Sequence, residues 1–471
     1  MKAIKYLMIG ALMIGFNASA MAQDDHKAVI DQVTKIIKSK SATTESAVKD
    51  VVKANKKNAD VLTAIGRAYL DVKDTANANK YCQMAIQRDK KFGNAYVLAG
   101  DIEVAKDNGG AASAWFDQAT YFDPRNPEGY RRYAQVNSKV NPEASAAKLE
   151  ELRKNIPDYP VDIISAEIYD RAQKIDKALE YYEKVDKAKM EDYQLVSFST
   201  DYYLKGKYDK SLEVAQYGIQ KFPRNAALNR LNLFNQTELN NFDEAVKYGD
   251  ALFNKSDSAK ISEVDYQYYG HALMGTKQYD NAIAEFKLAA STNPDNETCK
   301  ADAFKSIAEA YKAKGDFNAA VSAYNDYING LSKITAYDLG NLAGMYMDQA
   351  DKASAADKKG YYNKADSIYA EIAEKFPSVA DFATLQRAHI GYALDPDTKT
   401  ALAKPYYEKL IEIITNKTEK GEHDNERLVE AYRYLGYYYL LKNDKATANG
   451  YWNKVLQIDP NNESAKKALG K

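Results

Sequence analysis

Two cysteines and four histidines in 471 residues leave little material for metal or redox chemistry. Cys82 and Cys299 stand 217 positions apart in separate segments, so both are expected to be small buried residues rather than a disulfide, although an oxidising compartment would permit one. His26, His271, His389 and His423 have no second ligand at helical spacing, and Gly421-Glu422-His423-Asp424 reads as a solvated polar loop. Charge of one sign is also lacking. The 65 basic and 66 acidic residues are interspersed for a net charge of −1, and no basic patch or stripe of the kind that marks a nucleic-acid binder can be read. There is no phosphate loop, no G-x-G-x-x-G after a strand-like segment, no H-E-x-x-H, no C-x-x-C and no G-x-S-x-G. Carboxylates such as Glu150 and Glu412 have Lys154 and Lys409 about one turn away, the pattern of exposed helix faces carrying ion pairs. No catalytic or metal-binding residue is nominated, no cofactor is expected, and the chain is expected not to be an enzyme.

Long apolar runs are absent after the first residues. Lys2 and Lys5 give a short basic start, Tyr6 to Phe16 is apolar, and Ala18-Ser19-Ala20 and Ala20-Met21-Ala22 offer cleavage sites ahead of Gln23. That order is the secretory signal pattern, and the apolar stretch is shorter than the roughly 20 residues needed to span a bilayer. Residues 1–22 are therefore expected to be a signal peptide. No cysteine near the cleavage site offers lipid attachment. The mature protein is expected to be exported and soluble, in the periplasm, or else secreted or peripherally attached to an outer membrane.

Proline is scarce, at 11, while tyrosine reaches 38. Tyrosine in excess with many alanines suits helices packed through alternating large and small residues. Gly66 and Gly100, Ala78 and Ala112, and Ala85 and Ala119 are all 34 positions apart, and coincident spacings at one period mark an internal repeat. Related units carry Tyr269, Gly270, Ala282 and Phe286; then Ala308, Tyr311, Gly315 and Tyr324; then Leu435, Gly436, Ala448, Trp452 and Pro460. Within each half the apolar residues fall three or four apart, on one helical face. Steps such as Asp123-Pro124, Phe222-Pro223 and Phe376-Pro377 end the second helix, because the residue before proline is pushed out of the helical region.

The pattern resembles the tetratricopeptide repeat family over nearly the whole mature chain. The resemblance implies an all-α α-solenoid, a superhelix of about eleven helical hairpins. The expected divisions are an N-terminal helical hairpin or cap at 23–58, a first sub-array at 59–260, a second at 261–462, and a C-terminal capping helix at 463–471. Ala365 follows Tyr346 by 19 positions, where Ala78 follows Tyr69 by 9, so the unit at 336–378 is expected to have lengthened helices. Residues 379–428 match the repeat poorly, and 254–259 and 416–425 are polar connections where the array is expected to bend or split.

In the resembled family the first helix of each unit lines the concave surface. Carried over, that implies a partner-binding face made of Arg67, Asp101, Arg131, Gln135, Phe234, Gln267, His271, Lys305, Glu309, Arg433 and Tyr437. The set is mixed in charge and partly aromatic, as protein interfaces are. The function implied is a non-enzymatic scaffold of the cell envelope that binds a protein or peptide partner, with no nucleic acid and no membrane span after signal removal. The alternative is a surface glycan- or nutrient-binding component built on the same repeats, using exposed Tyr and Trp.

Overall fold

The computed structural model describes residues 24–293 and 295–470. The signal peptide expected at 1–22, and Pro294, lie outside them. The described residues are all-α, with two isolated 3-10 turns at Lys187–Lys189 and Pro377–Val379. No helix among them is long and apolar enough to cross a membrane.

An N-terminal hairpin is made by α1 (Asp24–Ser39) and α2 (Thr44–Asn55). Eleven further hairpins follow. They pair α3 (Ala59–Asp71) with α4 (Thr75–Arg88), α5 (Gly93–Ala105) with α6 (Gly109–Phe122), α7 (Pro127–Asn137) with α8 (Pro142–Asn155), and α9 (Val161–Arg171) with α10 (Ile175–Tyr182). Next come α11 (Asp192–Leu204) with α12 (Tyr208–Lys221), α13 (Ala226–Glu238) with α14 (Phe242–Asn254), and α15 (Glu263–Gly275) with α16 (Tyr279–Thr292). The last four are α17 (Glu297–Lys314) with α18 (Phe317–Asn329), α19 (Ala336–Lys352) with α20 (Ala355–Lys375), α21 (Ala380–Leu394) with α22 (Lys404–Thr415), and α23 (Asp424–Leu441) with α24 (Lys445–Ile458). A short α25 (Glu463–Ala468) lays Ala465 into the core of the last hairpin. The chain forms two compact units, one up to Asn235 and one from Gln236. Within each, successive hairpins stack in chain order as in an α-solenoid.

The turn inside the hairpin repeats in backbone detail. Lys73, Asp107, Gln173, Gly206, Asn240, Lys277, Gly315 and Asn443 each stand one residue before the N-cap of a second helix, and all take φ between 57° and 88°. This left-handed residue closes the first helix in the manner of a Schellman cap. After Lys73, the N–H of Asp74 donates to the carbonyl of Tyr69 at 2.9 Å. The Asp74 carboxylate then accepts from the N–H of Asn77 at 3.0 Å and opens α4. One residue thus ends one helix and begins the next.

Small and large residues meet at a fixed offset. A Cβ on Gly270 would lie 2.5 Å from the ring of Phe286, and one on Gly100 would overlap the ring of Phe116. Each ring follows its glycine by 16 positions and is fully buried. The glycine lets the second helix approach closely enough for the ring to fill the seam, at interior packing density.

Three segments depart from the plain repeat. The excess between Tyr346 and Ala365 is taken up as helix on both sides of Ala353 and Ser354, giving α19 17 residues and α20 21. Between α21 and α22 a wider loop replaces the tight turn, held by Asp395, whose carboxylate accepts the N–H groups of Lys399, Thr400 and Ala401 at 2.7–2.9 Å. In α13, Asn229, Asn232 and Asn235 are buried. Asn235 donates to Ser211 Oγ at 2.8 Å, and Ser211 donates to the carbonyl of Ser199 at 2.7 Å.

Candidate functional site

Several first helices of neighbouring hairpins approach one another directly, as α3 does α5, α5 does α7, α9 does α11, and α15 does α17, and among the described residues no two successive second helices come as close. Side chains on the open side of the first helices therefore share one face within each unit.

In the first unit much of that face is paired with itself. Asp101 on α5 is buried, and its carboxylate takes the guanidinium of Arg67 from α3 and that of Arg132 from α7, the latter at 3.7 Å. Arg131 forms an ion pair with Glu128 on its own helix. Gln135 is exposed, and Phe234 is half-buried with its ring centre 6.0 Å from that of Tyr203. Further along, Glu167 on α9 accepts from Tyr193 at 3.0 Å and Gln194 at 2.7 Å on α11 and pairs with Arg171 at 2.9 Å. Glu167 follows Ala166 as Arg67 follows Gly66, so the rule that nominated Arg67 also reaches it.

In the second unit the face is more open. Gln267 donates to the Cys299 carbonyl at 3.2 Å and lies 3.1 Å from its sulfur. His271 is exposed and stands edge-on to Phe286, 5.0 Å between ring centres. Lys305 is half-buried and acts electrostatically on Asp338, the N-terminal capping-box residue of α19. Burial works against ionising Asp338, but hydrogen bonds from Thr335 and from Tyr327 at 2.9 Å win and hold its carboxyl below the ordinary range. Glu309 and Arg433 are exposed, Arg433 reaching Ser464 at 3.5 Å, and Tyr437 is 48% exposed.

One constellation on this face was not anticipated. His389 on α21 lies 2.6 Å from Glu430 on α23, and the same carboxylate oxygen accepts from the Tyr407 hydroxyl at 2.8 Å. Burial opposes the charge on Glu430, yet these two hydrogen bonds hold its carboxyl below the ordinary range. Burial first, then the Glu430 charge, push the Tyr407 hydroxyl up, so the phenol stays protonated and acts as a donor. His389 follows Ala388 as His271 follows Gly270, so the signal was present, but the wide loop before α22 obscured the repeat around it.

The cysteines differ from one another. Cys82 is fully buried, donates to the Ala95 carbonyl at 3.2 Å, and has its thiol pushed up to about 12 by burial. Cys299 is half-exposed, so the expectation that both would be buried is corrected: its position in the first turn of α17 faces Gln267 and not a hairpin seam. Among the described residues no three His, Cys, Asp or Glu side chains stand close enough together to hold a metal ion.

Residues 266–296 match the family model described as tetratricopeptide repeat. No curated protein matches the chain. Among solved structures, the chain is similar to the C-terminal part of a TPR repeat-containing protein from Cytophaga hutchinsonii, at 28% identity over 58% of this chain and 99% of that one, with a TM-score of 0.46. It is also similar to a tetratricopeptide repeat protein from Parabacteroides merdae, at 16% identity over 55% and 98% with a TM-score of 0.33. A third is YrrB, described as a TPR protein with an unusual peptide-binding site, at 18% identity over 40% and 96% with a TM-score of 0.30.

Proposed function

Because this chain is a tetratricopeptide-repeat protein, we propose that it is a non-enzymatic scaffold that binds a polypeptide partner on the first-helix face of each unit. Members of this repeat family are in general interaction scaffolds rather than catalysts. The observation that carries the reading is an asymmetry within each unit: successive first helices approach one another at α3–α5–α7, α9–α11 and α15–α17, while no successive second helices come as close among the described residues, so that the open sides of those first helices share one face. On that face Gln135, His271, Glu309, Arg433 and Tyr437 stand exposed and offer both charge and aromatic surface. Arg67 and Asp101 are directed mainly at each other, so the exposed residues are the anchors in this proposal.

The basic, then apolar, then small-residue order of residues 1–22 supports export, and the cell envelope, most simply the periplasm, is the proposed location. The test is affinity capture from a cell-envelope fraction. A polypeptide recovered by the intact chain and lost with His271→Ala/Tyr437→Ala supports the proposal. Recovery of nothing under mild conditions counts against it.

A further inference from the structure

In the first unit a cleft of about 360 Å³ lies between the second helices α2 and α4. Its rim is Lys49 and Lys53 on α2, Lys56 just beyond it, and Lys80 on α4; its floor is Val52, Tyr81 and Met84. Lys49 pairs with Glu45 at 2.8 Å, and Lys80 lies 5.3 Å from the centre of the Tyr81 ring. Among the described residues no carboxylate forms an ion pair with Lys53, Lys56 or Lys80. Residues 44–57 and 75–91 carry eight basic side chains against three acidic ones, in a chain whose net charge is −1, and α4 has no carboxylate at all. Folding has gathered a local positive field that is invisible along the chain, since Lys53 and Lys80 are 27 positions apart.

We propose that this cleft docks an acidic segment of a protein partner, seating one apolar side chain on the Val52–Met84 floor between carboxylates that face the lysine rim. Like charges lining a recess are relieved by an anion, and the apolar floor adds burial that a small inorganic anion would not use. The recess itself favours a polypeptide over a bilayer. Tyr81 is only 5% exposed, and among the described residues no large apolar side chain of α2 or α4 stands exposed to enter a membrane. It also disfavours nucleic acid, because no exposed aromatic ring of α2 or α4 offers a stacking platform. This site is built on second helices, shares no residue with the first-helix face, and stands independently of it.

The test is fluorescence anisotropy of the full mature chain with a labelled peptide bearing one central Leu flanked by Glu, beside its Lys-for-Glu counterpart, phosphatidylglycerol vesicles and a single-stranded oligonucleotide. The acidic peptide should bind, and the basic one should not. Lys53→Glu/Lys80→Glu should weaken binding about tenfold or more. Met84→Glu should do likewise, and His271→Ala/Tyr437→Ala should leave it unchanged. The milder Lys53→Gln/Lys80→Gln pair, checked by circular dichroism for an intact fold, should also weaken it. Equal affinity of the intact chain for both peptides, indifference to the lysine and Met84 changes, or binding of vesicles or oligonucleotide in place of the peptide would overturn the proposal.

Discussion

Arg67 on α3 and Asp101 on α5 stand 34 positions apart, one repeat period, and form an ion pair in which the carboxylate side chain is only 9% exposed. The pair ties two successive first helices together and draws in Arg132 from a third. Removing Asp101 leaves two partly exposed guanidinium groups that water can solvate; removing Arg67 leaves a buried carboxylate with one distant partner. A double-mutant cycle with Arg67→Ala and Asp101→Ala, read by chemical denaturation, should give a coupling of about 1–2 kcal/mol. A coupling near zero would mean that the contact adds nothing to the stack.

Asp201 on α11 is 3% exposed, and among the described residues its Oδ2 has no hydrogen-bond partner. Burial first, then the nearby Asp170, push its carboxyl up from 3.8 to about 7. Because the folded-state value is raised, the protonated form is the one the fold prefers. Stability from this site is complete below about pH 4 and is lost progressively as pH rises through about 7. Asp201→Asn should therefore stabilise the protein at pH 8, by up to about 4 kcal/mol, and by much less at pH 5. Urea unfolding at both pH values checks this, and a pH-independent effect would contradict it.

Gly270 leaves room for the Phe286 ring, and a Cβ there would sit 2.5 Å from it. Gly270→Ala should lower stability by about 1–3 kcal/mol despite the better helix propensity of alanine. Phe286→Leu, itself destabilising, should make the added methyl tolerable. Thermal melts of the two single variants and the double variant decide it: strict additivity would show that the ring and the glycine do not share the seam.

Lys417 lies in the connection after α22, and its ammonium reaches Asp381 on α21 at 2.8 Å and Asp424 on α23 at 2.8 Å, with Arg427 paired to the same Asp381. Asp424 is 1% exposed and also accepts the N–H of Gly421 at 2.7 Å. Lys417→Met should leave two buried carboxylates short of a partner, cost about 2–4 kcal/mol, and speed proteolytic cleavage between 416 and 423. Unchanged cleavage kinetics would contradict the anchoring role.

The hairpins were legible because the seam is stereochemically strict: Gly100 against Phe116 and Gly270 against Phe286 need one offset, and eight of the turns place a left-handed residue just ahead of the cap. About eleven hairpins were legible from the 34-residue spacing, and the lengthened α19–α20 unit from the 19 positions between Tyr346 and Ala365. The use of the exposed face was less legible. Position placed Arg67 and Asp101 on one surface, but not that they would neutralise each other, since pairing depends on how three helices come together. Likewise the wide loop held by Asp395 hid the frame around His389, and the lysine cleft drew its charges from two helices whose own segments look ordinary.

The central claim is that the first-helix face holds a polypeptide, and site-specific photo-crosslinking tests it most directly. A crosslinking amino acid placed at Gln135, His271 or Tyr437 in cells should yield adducts with one or a few defined proteins, while the same group at exposed second-helix positions such as Lys247 or Glu374 should not. Adducts absent from all three first-helix positions, or equally strong at the second-helix controls, would contradict the account.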